Sequence, residues 1–448
     1  MTASAYRPLA LALAAALPAA EAASLTPLPL PGGLIGGSGA ALDISGDGSV
    51  IVGFGVSTAG ATDALRWDRR MTGAWDATNL RPLIEGSLPT QPIIYSYERS
   101  EARAVSVHGN EVFIGGSFGA PFGPELGFRI GPTGTDYFGT DQNYPRAVNA
   151  LSRDGSVVAG TGAFPVFAGG SFVGSSGPGA FMNFGGQADF FPPGLGGPAN
   201  ARSFGSGVSG DGNRLVGSFQ ERAPGGGFLP AQAFSFDPQA GVAVNLPRPT
   251  DPANPLVYLD NGTQAEAISA DGSTIVGTYL GVGNGPPGAV LWRDSGAGGF
   301  TTQVLRAPPC PGCGPKGLEA VDVADDNTLV VGNGASPVSP TPSAIVWDTG
   351  PASGSSPEGR LLLDVLAGAG VNVSRWLGRF EAEAVSGNGR FVVGQGEFDL
   401  GGGVLQHIPW VADLAGTGLW NAPHRPRPRV RVIPFSGMRP SVRATLSP

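Results

Sequence analysis

Residues 265–294, AEAISADGSTIVGTYLGVGNGPPGAVLWRD, carry a pattern that returns six more times along the chain, and no other feature constrains the fold as tightly. Ala267, Ile268 and Ser269 read as a short strand. Asp271 and Gly272 then supply turn chemistry, since an Asp side chain bonds nearby backbone amides and Gly accepts positive φ. Thr274, Ile275 and Val276 form a β-branched run ending at Gly277, so the block is a tight hairpin. A Gly/Pro loop over 281–288 leads to a third strand, Ala289, Val290, Leu291 and Trp292, in which alternation puts Ala289 and Trp292 on opposite faces.

The copies align on the turn glycine and on a second glycine five residues later: Gly48 and Gly53, Gly155 and Gly160, Gly212 and Gly217, Gly272 and Gly277, Gly389 and Gly394. The sixth copy has Asn327 and Gly332, a replacement that the left-handed tolerance of Asn permits. The second copy needs a shift of one residue, with Gly109 or Asn110 in its turn, and brings the count to seven. Asp47, Asp154, Asp211, Asp271, Asp326 and Asn388 sit beside these turn positions and are read as structural, each bonding its own turn. Calcium would need a D-x-[DN]-x-[DN]-G cluster, which is not found.

A fourth, outer strand is expected in each copy, with candidates at 80–83, 242–246, 304–308 and 361–365. Four strands per unit at spacings of 46 to 62 residues match the blade of a β-propeller, and a linear β-solenoid, whose periods are shorter, is the rival. The expectation is therefore an all-β chain, a β-propeller of seven four-stranded blades over residues 23–421. The segment 25–30 resembles an outer strand with no unit before it and should complete the last blade, with the region of Trp420 as the competing closing strand.

The block A-x-x-[VI]-S-x-D-G-x-x-[VI]-V-G followed by A-[FLVI]-x-[WF], repeated over residues 28–413, resembles the HAF-repeat extracellular proteins, secreted chains and passengers of bacterial autotransporters. The resemblance implies a secreted repeat protein and no particular reaction. The His-Ala-Phe triplet appears here as Asp63-Ala64-Leu65, Gln232-Ala233-Phe234 and Gly288-Ala289-Val290, so no role attached to that His carries over. The Ser-x-Asp-Gly block also resembles the Asp-box turn of sialidase propellers, which is structural.

Arg7, the short apolar run over 9–17 and the A-x-A site at Ala20, Glu21 and Ala22 read as a secretory signal peptide over 1–22. No later stretch is long and apolar enough for a transmembrane helix, so the chain is expected in an extracellular or periplasmic space. Residues 422–448 hold six arginines and no acid, against a formal net charge of −8 for the whole, which leaves −8 − 6 = −14 on residues 1–421. This Arg/Pro-rich segment reads as a flexible tail that could contact an anionic surface.

Few residues point to chemistry. Cys310 and Cys313, in C-P-G-C, are expected to form a disulfide in an oxidising compartment, with a redox motif as the alternative. Gly115 to Gly119 match G-x-S-x-G, but that motif needs a strand-to-helix elbow. His108, His407 and His424 show no ligand spacing, and no metal or cofactor set is recognisable. Trp67, Phe236, Trp292 and Trp347 hold fixed repeat positions and read as packing residues, although an exposed row could stack on sugars.

The loops that differ between units, 164–179, 223–230 and 281–288, contain no His, Asp or Glu. A noncatalytic binding or surface scaffold is thus expected, its extracellular ligand a glycan or protein, with a propeller enzyme acting on a glycan or other polymer as the alternative. Convergence of three or more buried acids or His in mutual contact would favour the enzyme.

Overall fold

The computed structural model describes residues 22–34, 37–87, 99–119, 125–138, 146–168, 171–184, 201–251, 254–258, 260–282, 285–296, 299–309, 317–335, 341–350 and 357–420. The described chain is all-β, with two short α-helices at Arg81–Gly86 and Leu362–Gly368. Strands succeed one another in antiparallel meanders over 38–79, 99–138, 146–184, 201–245, 260–304, 318–361 and 376–413, here called units one to seven. Units one, two, four and five have four strands each. Unit three has three among the described residues, and the fourth strand of unit six is only Arg360–Leu361. Ser24–Pro27 lies antiparallel against Leu405–Asp413 and adds a fourth strand to unit seven.

Three outer-strand expectations are corrected. Residues 80–83 form the N-cap and the start of the helix Arg81–Gly86, and the outer strand is Trp75–Asn79. Pro82 has no N–H to give a ladder but suits a first helical turn, and Leu80 and Ile84, four apart, are buried together. Residues 361–365 likewise enter the helix Leu362–Gly368, whose Leu362, Val365 and Leu366 show the spacing of one helical face. In unit five the strand is Phe300–Val304, ending where the expected one began. The 242–246 segment does form a strand, Val242–Asn245. The segment 164–179 is not a loop: Val157–Ala168 and Ser171–Phe184 pair as one long ribbon down to Ala168 and Ser171. Its Gly/Ser content suggested a loop, but backbone pairing needs no particular side chain, and two register shifts absorb the irregular sequence.

Each unit buries both faces of its sheet, because an apolar cluster fills the gap on either side. Val290 and Trp292 pack with Val216 and Ala233 of unit four, whereas Ala289 and Leu291, on the other face, pack with Ala320, Val330 and Trp347 of unit six. Equivalent clusters lie between units one and two, two and three, three and four, and six and seven. A further cluster joins Leu65 and Trp67 of unit one to Phe391, Val393 and Val411 of unit seven. Three of the tryptophans also tie units by hydrogen bond: the indole N–H of Trp67 donates to Pro29 O (2.6 Å), Trp292 to Pro247 O (2.7 Å) and Trp347 to Arg306 O (2.7 Å).

The second glycine of the repeat has a steric cause. In each unit the first strand skips one residue in its pairing with the second, as at Ala265 and Ala267, where Glu266 is extra. The bulge turns the carbonyl of Gln264 into the place a Cβ on Gly277 would occupy. Gly53, Gly116, Gly160, Gly217, Gly332 and Gly394 face the same obstruction from Ala40, Glu101, Ala147, Phe204, Glu319 and Glu381.

Candidate functional site

The first strand of every unit packs on the first strands of both neighbours, and Ser38–Ile44 of unit one meets Trp376–Val385 of unit seven. These strands therefore surround a common axis. One end, the tip end, carries the hairpin turns between first and second strands. The other, the mouth, carries the starts of the first strands and the loops between second and third strands.

At the tip end the repeated turn residues have a shared geometry. Asp271 Oδ1 accepts from Ser273 N (3.0 Å), Ser273 Oγ (2.7 Å) and Ser269 Oγ (2.8 Å), and Gly272 has φ 71°. Asp47, Asp154, Asp211 and Asn388 accept from the backbone N–H two residues on in the same way, ahead of Gly48, Gly155, Gly212 and Gly389 at φ between 65° and 74°. In unit six Asp326 takes the role, with Asn327 at φ 62°. Gly109, and not Asn110, holds the positive φ in unit two.

The serine was not singled out from sequence, yet it completes the turn: Ser269, fully buried, also accepts from Thr274 N at 3.1 Å. Burial works against ionisation of Asp271, but hydrogen bonds from Ser273, Ser269 and Asn327 outweigh it and hold the carboxyl below its ordinary range. The same balance lowers Asp154 and Asp211. Asp211, Arg214, Asp237, Asp271 and Asp294 line a cavity of about 420 Å³ between units four and five.

The tips interlock. Arg153 N donates to Gly210 O (2.9 Å), Gly210 N to Ala270 O (2.9 Å), Asp325 N to Gly387 O (2.9 Å) and Asn388 N to Gly46 O (3.1 Å). Arg153 of unit three reaches Asp325 of unit six at 2.5 Å, spanning the axis. A Cβ on Gly387 would collide with the Asp325 carboxylate, so that glycine makes room for the pair.

Just inside the tips stand two acids that no motif pointed to. Asp43 accepts from Ile44 N (2.8 Å) and, across to unit two, from Val105 N (2.6 Å). Asp322 accepts from Val323 N (2.8 Å) and, across to unit seven, from Val385 N (2.8 Å). Burial, then the charge of Asp322, pushes Asp43 up to about 8, and burial pushes Asp322 up to about 7.

The bulges bring a second acidic group to the axis on the mouth side. Glu266 of unit five and Glu383 of unit seven are the extra residues of their first strands. Burial, then Glu319, raises Glu266 to about 7; burial, then Glu381, raises Glu383 to about 7. Gln395 Nε2 bridges Glu383 (2.9 Å) and Glu381 (3.2 Å), and Arg379 pairs with Glu381 at 2.6 Å. In unit two, Arg103 holds the bulge and donates to Glu101 (3.0 Å) and Asn149 (3.3 Å). A legible signal existed: a charged residue between two alanines of the repeat, as in Ala265-Glu266-Ala267 and Ala382-Glu383-Ala384.

Glu319 of unit six thus acts on both Glu266 of unit five and Glu383 of unit seven, but only Glu381 and Glu383, of the same unit, are linked through a shared partner, Gln395. Glu381 is buried, Glu266 and Glu383 are half-buried and Glu319 is exposed. Burial and Arg379 lower His407, which stands near Glu381 and Glu397. Ser117 of the G-x-S-x-G match is buried within the strand Glu111–Gly119, not at a helix start. Trp67, Phe236, Trp292 and Trp347 are fully buried and offer no stacking face. Among the described residues no group of His, Cys, Asp or Glu is arranged to hold a metal, and no helix is long and apolar enough to cross a membrane. Cys310, Cys313, His424, residues 1–21 and the tail lie outside the described residues.

No protein-family model matches this chain, and no curated protein does. Among solved structures it is similar to the β-propeller domain of the Trilobed protease from Pyrococcus furiosus, at 12% identity and TM-score 0.40, covering 72% of this chain and 80% of that one. A protein of unknown function from Dyadobacter fermentans is similar at 11% identity and TM-score 0.40, over 89% of this chain and 100% of its own. Dipeptidyl peptidase 4 from Porphyromonas gingivalis is similar at 10% identity and TM-score 0.38, over 83% of this chain and 58% of its own.

Proposed function

We propose that the protein is a secreted, HAF-type, seven-bladed β-propeller closed by its N-terminal strand, and that it acts as a noncatalytic scaffold binding an extracellular glycan or protein at the mouth of its axis. The observation that carries this reading is the division of labour between the two ends. The repeated polar residues are engaged in turn bonds and inter-unit bonds at the tips. The described segments that differ between units gather at the mouth: the far part of the Val157–Ala168 and Ser171–Phe184 ribbon, the 223–230 turn, where Arg202 lies 3.9 Å over the Phe228 ring, and residues 281–282 and 285–288. Binding needs shape, aromatic area and backbone groups, which such segments supply without a positioned nucleophile.

Glu266 and Glu383 favour the second reading, a propeller enzyme acting on a polymer, because carboxyls raised to about 7 suit proton transfer at neutral pH. A glycan array and a peptide array, probed with the secreted protein and with a Glu266→Gln/Glu383→Gln variant, separate the two. Binding retained by the variant, with no cleavage of the bound polymer by either protein, is expected. Cleavage by the wild type that the variant loses would establish the enzyme, and no binding on either array would remove support for the scaffold.

A further inference from the structure

The two ends of the axis differ in charge. Every first-to-second turn at the tip end carries a charged residue, from Asp47 in unit one to Arg390 in unit seven, and the third-to-fourth turns beside them add Asp237, Asp294 and Asp348. At the mouth the described connections between second and third strands hold no charge at all: 57–61 in unit one, 223–230 in unit four, 281–282 and 285–288 in unit five, and 400–404 in unit seven. The far part of unit three's ribbon, 163–168 and 171–180, is equally free of charged residues.

Three of these crests are apolar. Phe228 and Leu229 in unit four, Leu280 and Val282 in unit five, and Leu400, Val404 and Leu405 in unit seven are exposed, Val282 by 57% and Val404 by 58%. The crests project: a Cβ on any of Gly225, Gly226, Gly227, Gly401, Gly402 or Gly403 would have no described atom within 4 Å. Phe391–Asp399 and Leu405–Asp413 run nine residues each against seven for Val50–Val56 of unit one, so unit seven's crest stands about 7 Å farther out. Scattered exposed apolar side chains are ordinary, but seven on projecting, charge-free turns at one end form a contact surface.

We propose that the mouth rim is a lipid-docking surface, in which the crests of units four, five and seven enter the headgroup boundary of a bilayer. Separate convex crests select this partner. A folded protein would need a matching hollow for each, whereas a bilayer boundary yields to every crest independently, and no charge has to leave water as they enter. Leu and Val side chains offer a glycan no hydrogen bond, so the ligand proposed above is left to the inner wall of the mouth. Units four and seven stand three apart around the axis, so their crests support the mouth from opposite sides. Charge sets the orientation: the acidic tip end is repelled by anionic lipid and faces away, while the crest bases mix signs, with Arg222 beside Glu221 and Arg375 donating to Asp399 O.

Co-sedimentation of the purified full chain with phosphatidylcholine vesicles, which carry neither glycan nor protein, tests this apart from the ligand reading. Binding is expected, and raising the salt from about 0.05 to about 0.5 M should leave it nearly unchanged, because no ion pair carries it. Phe228→Ser/Leu229→Ser/Leu400→Ser/Val404→Ser should lower the partition coefficient at least about tenfold while the melting temperature stays at the wild-type value. Met71→Ser, which removes a fully exposed apolar side chain at the tip end, should leave partition unchanged. No binding to these vesicles, or equal binding by the folded quadruple variant, would overturn the docking surface. Binding only to vesicles containing phosphatidylglycerol, lost at high salt, would overturn it in favour of the arginines of 422–448. Self-association lost in the quadruple variant, without vesicle binding, would replace the bilayer by a second copy of the chain.

Discussion

Leu25 pairs with Ala412, and the register runs from Ser24 on Asp413 to Pro27 on Trp410, so strands from the two ends of the described chain share one sheet. Beyond the paired residues, Leu28 and Leu34 are buried in the cluster that joins units seven and one, and Pro29 O accepts the Trp67 indole N–H. Leu28→Ala should therefore destabilise the whole protein by about 2 to 4 kcal/mol. Chemical denaturation of the purified chain checks this, and an unchanged midpoint would detach the N-terminal strand from the account.

The buried tryptophans should divide into two kinds. Trp292 donates to Pro247 O, whereas Trp410 Nε1 is buried without an acceptor among the described residues and its ring stacks 4.4 Å from Phe380. Trp→Phe removes similar volume at both sites but breaks a hydrogen bond only at Trp292. Denaturation midpoints should show Trp292→Phe as the costlier change by about 1 kcal/mol. Equal losses would mean that the indole bond adds nothing to unit packing.

Gly277→Ala should cost about 1 to 3 kcal/mol or prevent folding, because the added methyl meets the Gln264 carbonyl and not a movable side chain. Gly86→Ala, where a Cβ meets nothing, is the control and should be within about 0.5 kcal/mol of wild type. Thermal melts of the two variants side by side decide the matter.

Stability should rise as pH falls from about 8 towards 5. Asp43, Asp322, Glu266 and Glu383 have folded values above their unfolded ones, so the folded state binds more protons. Their contribution is complete below the ordinary carboxylate range and is lost as pH rises through about 7 to 8. Asp154, Asp211 and Asp271 are depressed, so theirs is present above the ordinary range and lost as pH falls through their lowered values. Melting temperatures should therefore peak in mildly acid solution. A maximum above pH 8 would contradict the placement of the axial acids.

Period and turn chemistry made the meanders legible, because a Ser-x-Asp-Gly turn and a glycine five residues later each meet a local requirement that sequence displays. Outer strands were less legible. Leu80 and Ile84, or Leu362 and Leu366, are apolar in runs too short to separate a strand from a helical turn, and the neighbouring unit decides which forms. The axial acids were hidden for a different reason. Glu266 and Asp322 look like exposed positions of a strand, and only the packing of the first strands on one another, with the bulge at Glu266, brings each beside acids of other units. Ser269 reads in sequence as a strand residue, although its hydroxyl serves the turn on one side and the second strand on the other.

Averaged electron-microscope projections of the purified chain test the closed ring most directly. The account predicts a disc with seven radial lobes around an axial density minimum, the lobe holding Leu405–Asp413 being as thick as the rest because Ser24–Pro27 completes it. An elongated rod, an open crescent or a different number of lobes would contradict it.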